Sequence, residues 1–444
     1  MNLTIKNCTI VNEGELSEND LLIKNGRIEK IDTSIDVKGD FIEAEGLHLL
    51  PGFIDDQVHF REPGLTDKGS IRSESIAAVV GGTTSFMDMP NVVPPTLNED
   101  LWNQKNRIAE QGSLANYSFY MGSSNTNIEE IKSIDPSQVC GLKVFMGTST
   151  GNLLVDDPKA LEDIFNFSPV LITTHCEDTP LITENEKKAY EKFGDNIPIE
   201  LHEEIRSRQA CLISTEKAID LAQQFNSKLH VLHISTKDEI ELFDAGPIEN
   251  KKITSEVCIP HLLFSSSDYE NLGSLIKCNP SIKANSDKTA LRQALKKGVI
   301  DYVATDHAPH RLSEKEKSYI NSPSGMPSVQ HSFLAVLEMV HDGDIEITDV
   351  PKITSHNVAK RFEIKDRGFI KEGFWADLVL VNMNDLYEVK KEKIFYKCGW
   401  SPFESYTFKS RIVETIINGE RVCSQGKILS DKIGQKLEFS RGYK

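Results

Sequence analysis

The chain has 444 residues, which suits one large catalytic barrel of ~250 residues or more plus a smaller module as readily as three ordinary domains. Hydrophobic residues make up 39% and charged residues 26%, enough for a sizeable core, and the net charge of −17 argues against a nucleic-acid backbone or an anionic membrane as partner. No apolar run approaches the ~18 residues of a membrane span. The opening MNLTIKNCTI lacks the basic-then-apolar layout of a signal peptide, so a cytoplasmic location is expected. The eight cysteines include no CxxC, the nearest two in sequence being Cys258 and Cys278. That excludes a disulfide scaffold and disfavours a cysteine-only zinc site.

The first fifty residues have the texture of short strands, and Asn25-Gly26 is a hairpin turn signal. Eight further strand candidates follow at 53–60, 83–89, 115–122, 140–147, 169–177, 228–236, 252–259 and 300–307. Helical patterns lie between them, among them 71–80, 98–111, 203–225 and 287–297. Another is expected after Ser328, a candidate N-cap, because Val329, Phe333, Val336, Leu337 and Val340 keep a 3.6-residue period. The last eighty residues return to β texture, with a second turn at Asn418-Gly419. The expected architecture is α/β: a (β/α)8 TIM-like barrel over 54–364 and a small β-sandwich built from both termini, 1–53 and 365–444.

Barrel enzymes carry their chemistry at the C-terminal ends of the strands, and polar residues collect there. The first strand ends in Asp55-Asp56-Gln57-Val58-His59-Phe60-Arg61, where alternation puts Asp55, Gln57, His59 and Arg61 on one face. Lys143 lies in the fourth strand, and His175, His233 and Asp306 close the fifth, sixth and eighth. A single histidine at a strand end is most often structural. Three of them with an aspartate on four strands point to a metal centre. Lys143, inside Leu142-Lys143-Val144-Phe145-Met146, needs a partner or a lowered pKa. Carbamylation by CO2 would turn it into an anionic ligand that bridges two divalent ions.

Further along, PGFIDDQVHFREPG (51–64), MPNVVPP (89–95), GLKVFMG (141–147), THCE (174–177), HVLHIST (230–236), SEVCIPHLL (255–263), NPSIK (279–283) and ATDHAPH (304–310) make the chain resemble the class I dihydroorotases of the amidohydrolase superfamily. The likeness runs through GFWADLVLVN (373–382), nearly the whole length. It implies one or two zinc ions held by His59, Lys143 as its N6-carboxylate, His175, His233 and Asp306. Asp306 would also shuttle the proton. The same resemblance implies that Arg61, Asn91 and His310 grip the substrate carboxylate, with Asn279 and the backbone of Gly325 beside the ring. The implied reaction is the reversible cyclisation of N-carbamoyl-L-aspartate to L-dihydroorotate by a metal-bound hydroxide, a step of pyrimidine synthesis, in a homodimer.

Arg61 sets this reading apart from a hydantoinase- or allantoinase-like one, whose substrates carry no such carboxylate. A surface ion pair of Arg61 with Glu62 or Asp67 is the bland alternative. Two departures stand out. Gln57 replaces the first histidine of the family's HxH, so it is either a weak, neutral metal ligand or the mark of a single tightly held ion. An impaired homologue that serves as an assembly partner, for instance of aspartate carbamoyltransferase, is the reading it alone supports. Pro260 stands where an HHL pair often begins, leaving His261 a supporting role. The GxSxG match at 147–151 lacks the helix that a nucleophile elbow needs, since Asn152 leads into LLVDDP. Loops 147–157 and 308–326 follow the fourth and eighth strands and are candidates to close over the site.

Overall fold

The computed structural model describes residues 2–147, 153–431 and 434–441. The elbow-like motif and the tip of the 147–157 loop therefore fall largely outside the described residues. Eight parallel strands form the centre: β1 (Phe53–Val58), β2 (Thr83–Asp88), β3 (Asn116–Phe119), β4 (Leu142–Phe145), β5 (Ile172–His175), β6 (Leu229–Val231), β7 (Ile253–Cys258) and β8 (Tyr302–Ala304). β1 to β3 pair in order, and β4 to β8 pair in order. Met121 and Gly122, just past β3, pair with Leu142 and Lys143 of β4. The ring closes where the His59 amide donates to His307 O at 2.7 Å and Val58 bridges His307 in parallel. All eight strand candidates are strands, each shorter than its apolar run, because the polar residues at the C-terminal ends leave the ladder and turn over the rim.

The strands are buried on both faces, as a parallel sheet wrapped by helices requires. The helices start where side chains can cap them. Ser70 accepts from the Ser73 amide ahead of Ile71–Val80, and Asn98 accepts from Leu101 ahead of Glu99–Gly112. The expected helix 203–225 is two pieces, His202–Ile205 and Arg208–Phe225. Ser207 leaves the helical path between them and caps the second. Ser328 is not a cap. Its hydroxyl donates to Thr305 O at the end of β8, and the helix begins later, at Ser332–His341. No helix among the described residues is long and apolar enough to cross a membrane. All eight cysteines are free.

The two ends of the chain share a nine-stranded sheet, joined where His48–Pro51 pairs antiparallel with Leu378–Asn382. Leu3, Ile23, Leu378 and Ile416 meet in its apolar core. The hairpin tips Asn25-Gly26 and Asn418-Gly419 have positive φ at all four residues and pack on one another. A Cβ on Gly419 would sit 2.6 Å from Gly26 Cα, so only glycine allows both the turn and the contact. Phe53 already belongs to the barrel, paired with Thr83. Residues 434–441 leave the sheet and run along the barrel, where Leu437 and Phe439 pack with Ile54 and Tyr302.

Candidate active site

The strand ends bring the expected residues together in two contact groups. In the first, His59 Nε2 lies 3.2 Å from Asp306 Oδ1, His59 Nδ1 is 2.7 Å from Asn91 Oδ1, and the Gln57 amide donates to Asp306 Oδ1 at 3.3 Å. In the second, His175 Nδ1 faces His233 Nε2 at 2.9 Å with the rings edge to face. Lys143 stands between the groups electrostatically. Asp306 acts on its charge, and its charge in turn acts on His175 and His233. The Lys143 ammonium is buried over the Phe145 ring, with no carboxylate among the described residues within 4.0 Å.

Burial sets the protonation of this cluster. It pushes His175 down and His233 well down, so both are neutral imidazoles with a free lone pair, the form that binds metal. It pushes Lys143 down to about 8, within reach of the neutral amine that reacts with CO2. Burial alone would raise the Glu177 carboxyl, but Arg206 and His175 outweigh it and hold it near 2. Glu177 Oε2 is 3.1 Å from His175 Nε2 and ion-paired with Arg206. Neutral facing imidazoles, a buried lysine with a softened pKa and a carboxylate suit a divalent ion in donor type and charge.

Arg61 reaches the site by a route that alternation along the strand does not give. β1 ends at Val58, and Arg61 takes φ +69° to swing its side chain inward. His233 and Asp306 also have positive φ, +41° and +47°. Such backbone is costly for residues with a Cβ and collects at functional sites. Arg61 is buried, donating Nε–H to Pro309 O at 3.1 Å, and it makes no pair with Glu62 or Asp67. Asp67 pairs instead with Arg311, and Glu62 accepts from the Ile71 amide.

The Arg61 NH2 nitrogen lies 3.0 Å from His310 Nε2. That ring is held neutral far below its usual range by burial and by Arg61 and Lys68. Lys68 Nζ, a donor only, faces His310 Nδ1 at 3.1 Å, so the ring proton sits on Nε2 and goes to Ser324 O at 3.1 Å. The Arg61 NH2 therefore points at an N–H and lacks an acceptor there.

Asn279, expected beside the substrate, has a buried Oδ1 without a hydrogen bond. Gly325 takes φ +125°, and a Cβ on it would meet Ala308 O at 2.6 Å, so the backbone comes close to His310 as only glycine permits. Its carbonyl accepts from Lys315 Nζ, which also binds the Lys277 and Pro323 carbonyls and pins the 308–326 loop. Trp400, far along the chain, donates to His310 O at 2.7 Å. Sequence reasoning missed Lys68, Trp400, Glu177 and Cys258. Glu177 and Cys258 carried a signal, as residues of the THCE and SEVCIPHLL motifs.

Gln57 does not aim its oxygen at the His59–Asp306 pair; the oxygen accepts from Cys258 Sγ at 3.3 Å. His261 Nε2–H donates to Pro280 O at 3.0 Å, and Pro260 opens the short helix Ile259–Leu263. His230 stacks on Tyr302 and meets Glu256 at 3.1 Å, with Asp56 at 4.0 Å. These three are the one compact trio of His, Cys, Asp or Glu ligand atoms among the described residues. Burial pushes Glu256 well up, so it is protonated and donates to Asp56, which also accepts from Tyr302 at 3.1 Å. The trio is a hydrogen-bonded floor under the site.

Imidazoles, a lysine and an acid stand at the C-terminal rim of a closed parallel barrel, donor types that suit a barrel hydrolase. The sequence pattern of the amidohydrolase family matches residues 48–422, and the chain belongs to that family, whose members generally use a divalent metal. It is 32% identical to the dihydroorotase of Methanosarcina acetivorans over 90% of this chain and 87% of that one. It is 30% identical to the allantoinase of Bacillus velezensis over 95% and 94% of the two chains. The fold superposes on an L-hydantoinase (dihydropyrimidinase) from Arthrobacter aurescens with a TM-score of 0.93 at 24% identity, covering 98% of this chain and 99% of that one.

Proposed function

We propose that this chain is a dihydroorotase, interconverting N-carbamoyl-L-aspartate and L-dihydroorotate in pyrimidine synthesis. The observation that carries the reading is Arg61: a buried, permanently charged fork whose NH2 meets an imidazole N–H and, among the described residues, no carboxylate within 4.0 Å. A carboxylate on the substrate supplies the missing acceptor, and a plain hydantoin or allantoin ring does not. His310 and the Nδ2 of Asn91 (its Oδ1 is taken by His59) complete that grip, while Asn279 and the Gly325 backbone border the ring.

Zinc, one or two ions per chain, would be held by His59, Lys143 as its carbamate, His175, His233 and Asp306. Bound there, it would polarise the ring carbonyl and acidify the attacking water. Asp306 takes the proton of that water and delivers it to the leaving ring nitrogen. In the synthetic direction it removes the proton from the carbamoyl nitrogen. The same reading carries a division into a barrel, 54–364, and a terminal β domain, 1–53 with 365–444, together with a cytoplasmic location, a homodimer and aspartate carbamoyltransferase as a partner.

The test is turnover of dihydroorotate, hydantoin and allantoin by one purified sample with its zinc measured. The reading expects dihydroorotate to be preferred and Arg61→Met to erase the preference, raising KM about 10²-fold for the loss of a charge-assisted contact. Equal turnover of rings with and without the carboxylate by the unaltered protein sinks it in favour of the hydantoinase- or allantoinase-like alternative.

A further inference from the structure

We propose that Gln57 is a positioning residue for Asp306, braced by Cys258, and that the centre is built to hold a single divalent ion on the His175–His233 side. This rests on the metal-dependent reading above. The carboxamide has two distinguishable ends, and its neighbours decide which way it lies. The Asp306 carboxylate only accepts, so the NH2 must face it, at 3.3 Å from Oδ1. The Cys258 thiol is the donor on the other side, 3.3 Å from Oε1. Turning the amide to free its oxygen for a metal would set that oxygen against the carboxylate and the NH2 against the sulfur, losing both contacts.

The brace crosses the barrel from β7, which ends at Cys258, through β1 to the residue two past β8. Its load is Asp306 in a left-handed backbone conformation that an aspartate adopts at a cost. Among the described residues, the contacts of the Asp306 carboxylate fall on Oδ1, from Gln57 and from His59 Nε2. Oδ2 is left for proton transfer. A shuttle serves both directions of a reaction only if one oxygen stays aimed at the reacting nitrogen, and fixing the other oxygen does that.

The count of metal ions follows from the same geometry. On the His59 side the second imidazole is absent, the amide that replaces it is spent on Cys258 and Asp306, and His59 Nδ1 is tied to Asn91. One imidazole remains there. On the other side two imidazole nitrogens already face each other at 2.9 Å. Two imidazoles with one oxygen of the Lys143 carbamate would make the three protein ligands of one catalytic zinc and leave the fourth position open to water.

The experiment pairs metal counting with kinetics on the full chain. The protein is purified with zinc in excess, passed through a desalting column, and measured by elemental analysis and by anomalous scattering at the zinc edge. The expected content is about one zinc per chain, at the His175–His233 pair, rising to about two in Gln57→His, which restores the second imidazole. Cys258→Ala is expected to keep that single zinc while kcat falls about tenfold to a hundredfold at unchanged KM, and Cys258→Ser, which keeps a donor, to recover most of the loss. Two zinc ions in the unaltered protein, zinc lost on Gln57→Ala, or a Cys258→Ala variant with full kcat would each overturn the inference. Failure of the dihydroorotase reading looks different: one zinc is present and dihydroorotate is not turned over.

Discussion

Arg367, where the two ends of the chain meet, and Arg61, at the barrel rim, are both buried guanidinium groups, and their surroundings differ at every point. Arg367 is ion-paired with Asp377 and donates to Asn418 Oδ1 and Gln435 Oε1, both at 2.9 Å. Asp377 in turn accepts from the Asn418 amide and from Asn116 of β3. The network is closed, and it ties the terminal sheet to the barrel. Arg61 has a left-handed backbone, a carbonyl on Nε and a hydrogen-bond donor opposite its NH2. Charge is satisfied where the protein needs to hold together and left unsatisfied where it needs to bind. Perturbing the first region should therefore cost stability, and perturbing the second should cost turnover.

The largest expected effect tests the rim. Asp306→Ala should lower kcat about 10²–10⁴-fold, the usual contribution of a positioned acid–base group, and change substrate affinity much less. Its thermal midpoint should stay level or rise, because the change takes no contact from the closed network. An Asp306→Ala protein with normal turnover breaks the assignment of the shuttle. One that melts early at normal kcat per folded molecule reverses the comparison.

The barrel was legible because eight short apolar runs each end in polar residues, a pattern that few other folds produce, and the ligand types sit at those ends. The reach of Arg61 was legible in outcome and wrong in cause: a left-handed turn past β1 carries it inward, and no periodicity encodes that turn. Lys68 and Trp400 were silent because each acts through a partner far along the chain, 242 and 90 residues away. The Arg367–Asp377–Asn116 network was silent for the same reason. Ser328 misled because its hydroxyl donates to the Thr305 carbonyl just past β8 and does not accept from the amides of the helix, which begins only at Ser332.

His331 extends the comparison to pH. It is buried where the 396–408 segment packs on the barrel, facing Tyr396 and Ser401, and burial pushes its pKa from 6.5 down to about 3. The folded ring stays neutral while the unfolded chain takes up a proton below pH 6.5. This contribution to stability is thus complete above 6.5 and lost as the pH falls toward 3, at up to about 1.4 kcal/mol per unit. Chemical denaturation between pH 7 and 4.5 should show that slope in the unaltered protein and a shallower one in His331→Gln. Parallel slopes would mean that the ring is protonated in the folded state.

Arg367→Met removes one side of the closed network and leaves the Asp377 carboxylate buried without its cation. The expected cost is about 3 kcal/mol or more by denaturant titration, with kcat per folded molecule unchanged. A matching fall in kcat would show that the network also sets the rim through β3.

Asn98→Ala is the mildest probe, and it asks whether the barrel's outer helices behave as independent parts. Asn98 accepts from the Leu101 amide at 3.0 Å and caps Glu99–Gly112. Removing the cap exposes one orphan amide at a surface helix end, worth about 1 kcal/mol. That helix also carries Lys105, whose ammonium is buried against Asp88 at the end of β2, and the Asp88 carboxylate accepts from the Phe60 amide at 2.7 Å, next to His59 and Arg61. If the helix is only scaffolding, the variant loses about 1 kcal/mol and keeps its KM and kcat. A change in KM for dihydroorotate at that small stability cost would mean that Lys105 and Asp88 transmit the helix position to Arg61, and the division between holding and binding regions would then have to be redrawn through β2.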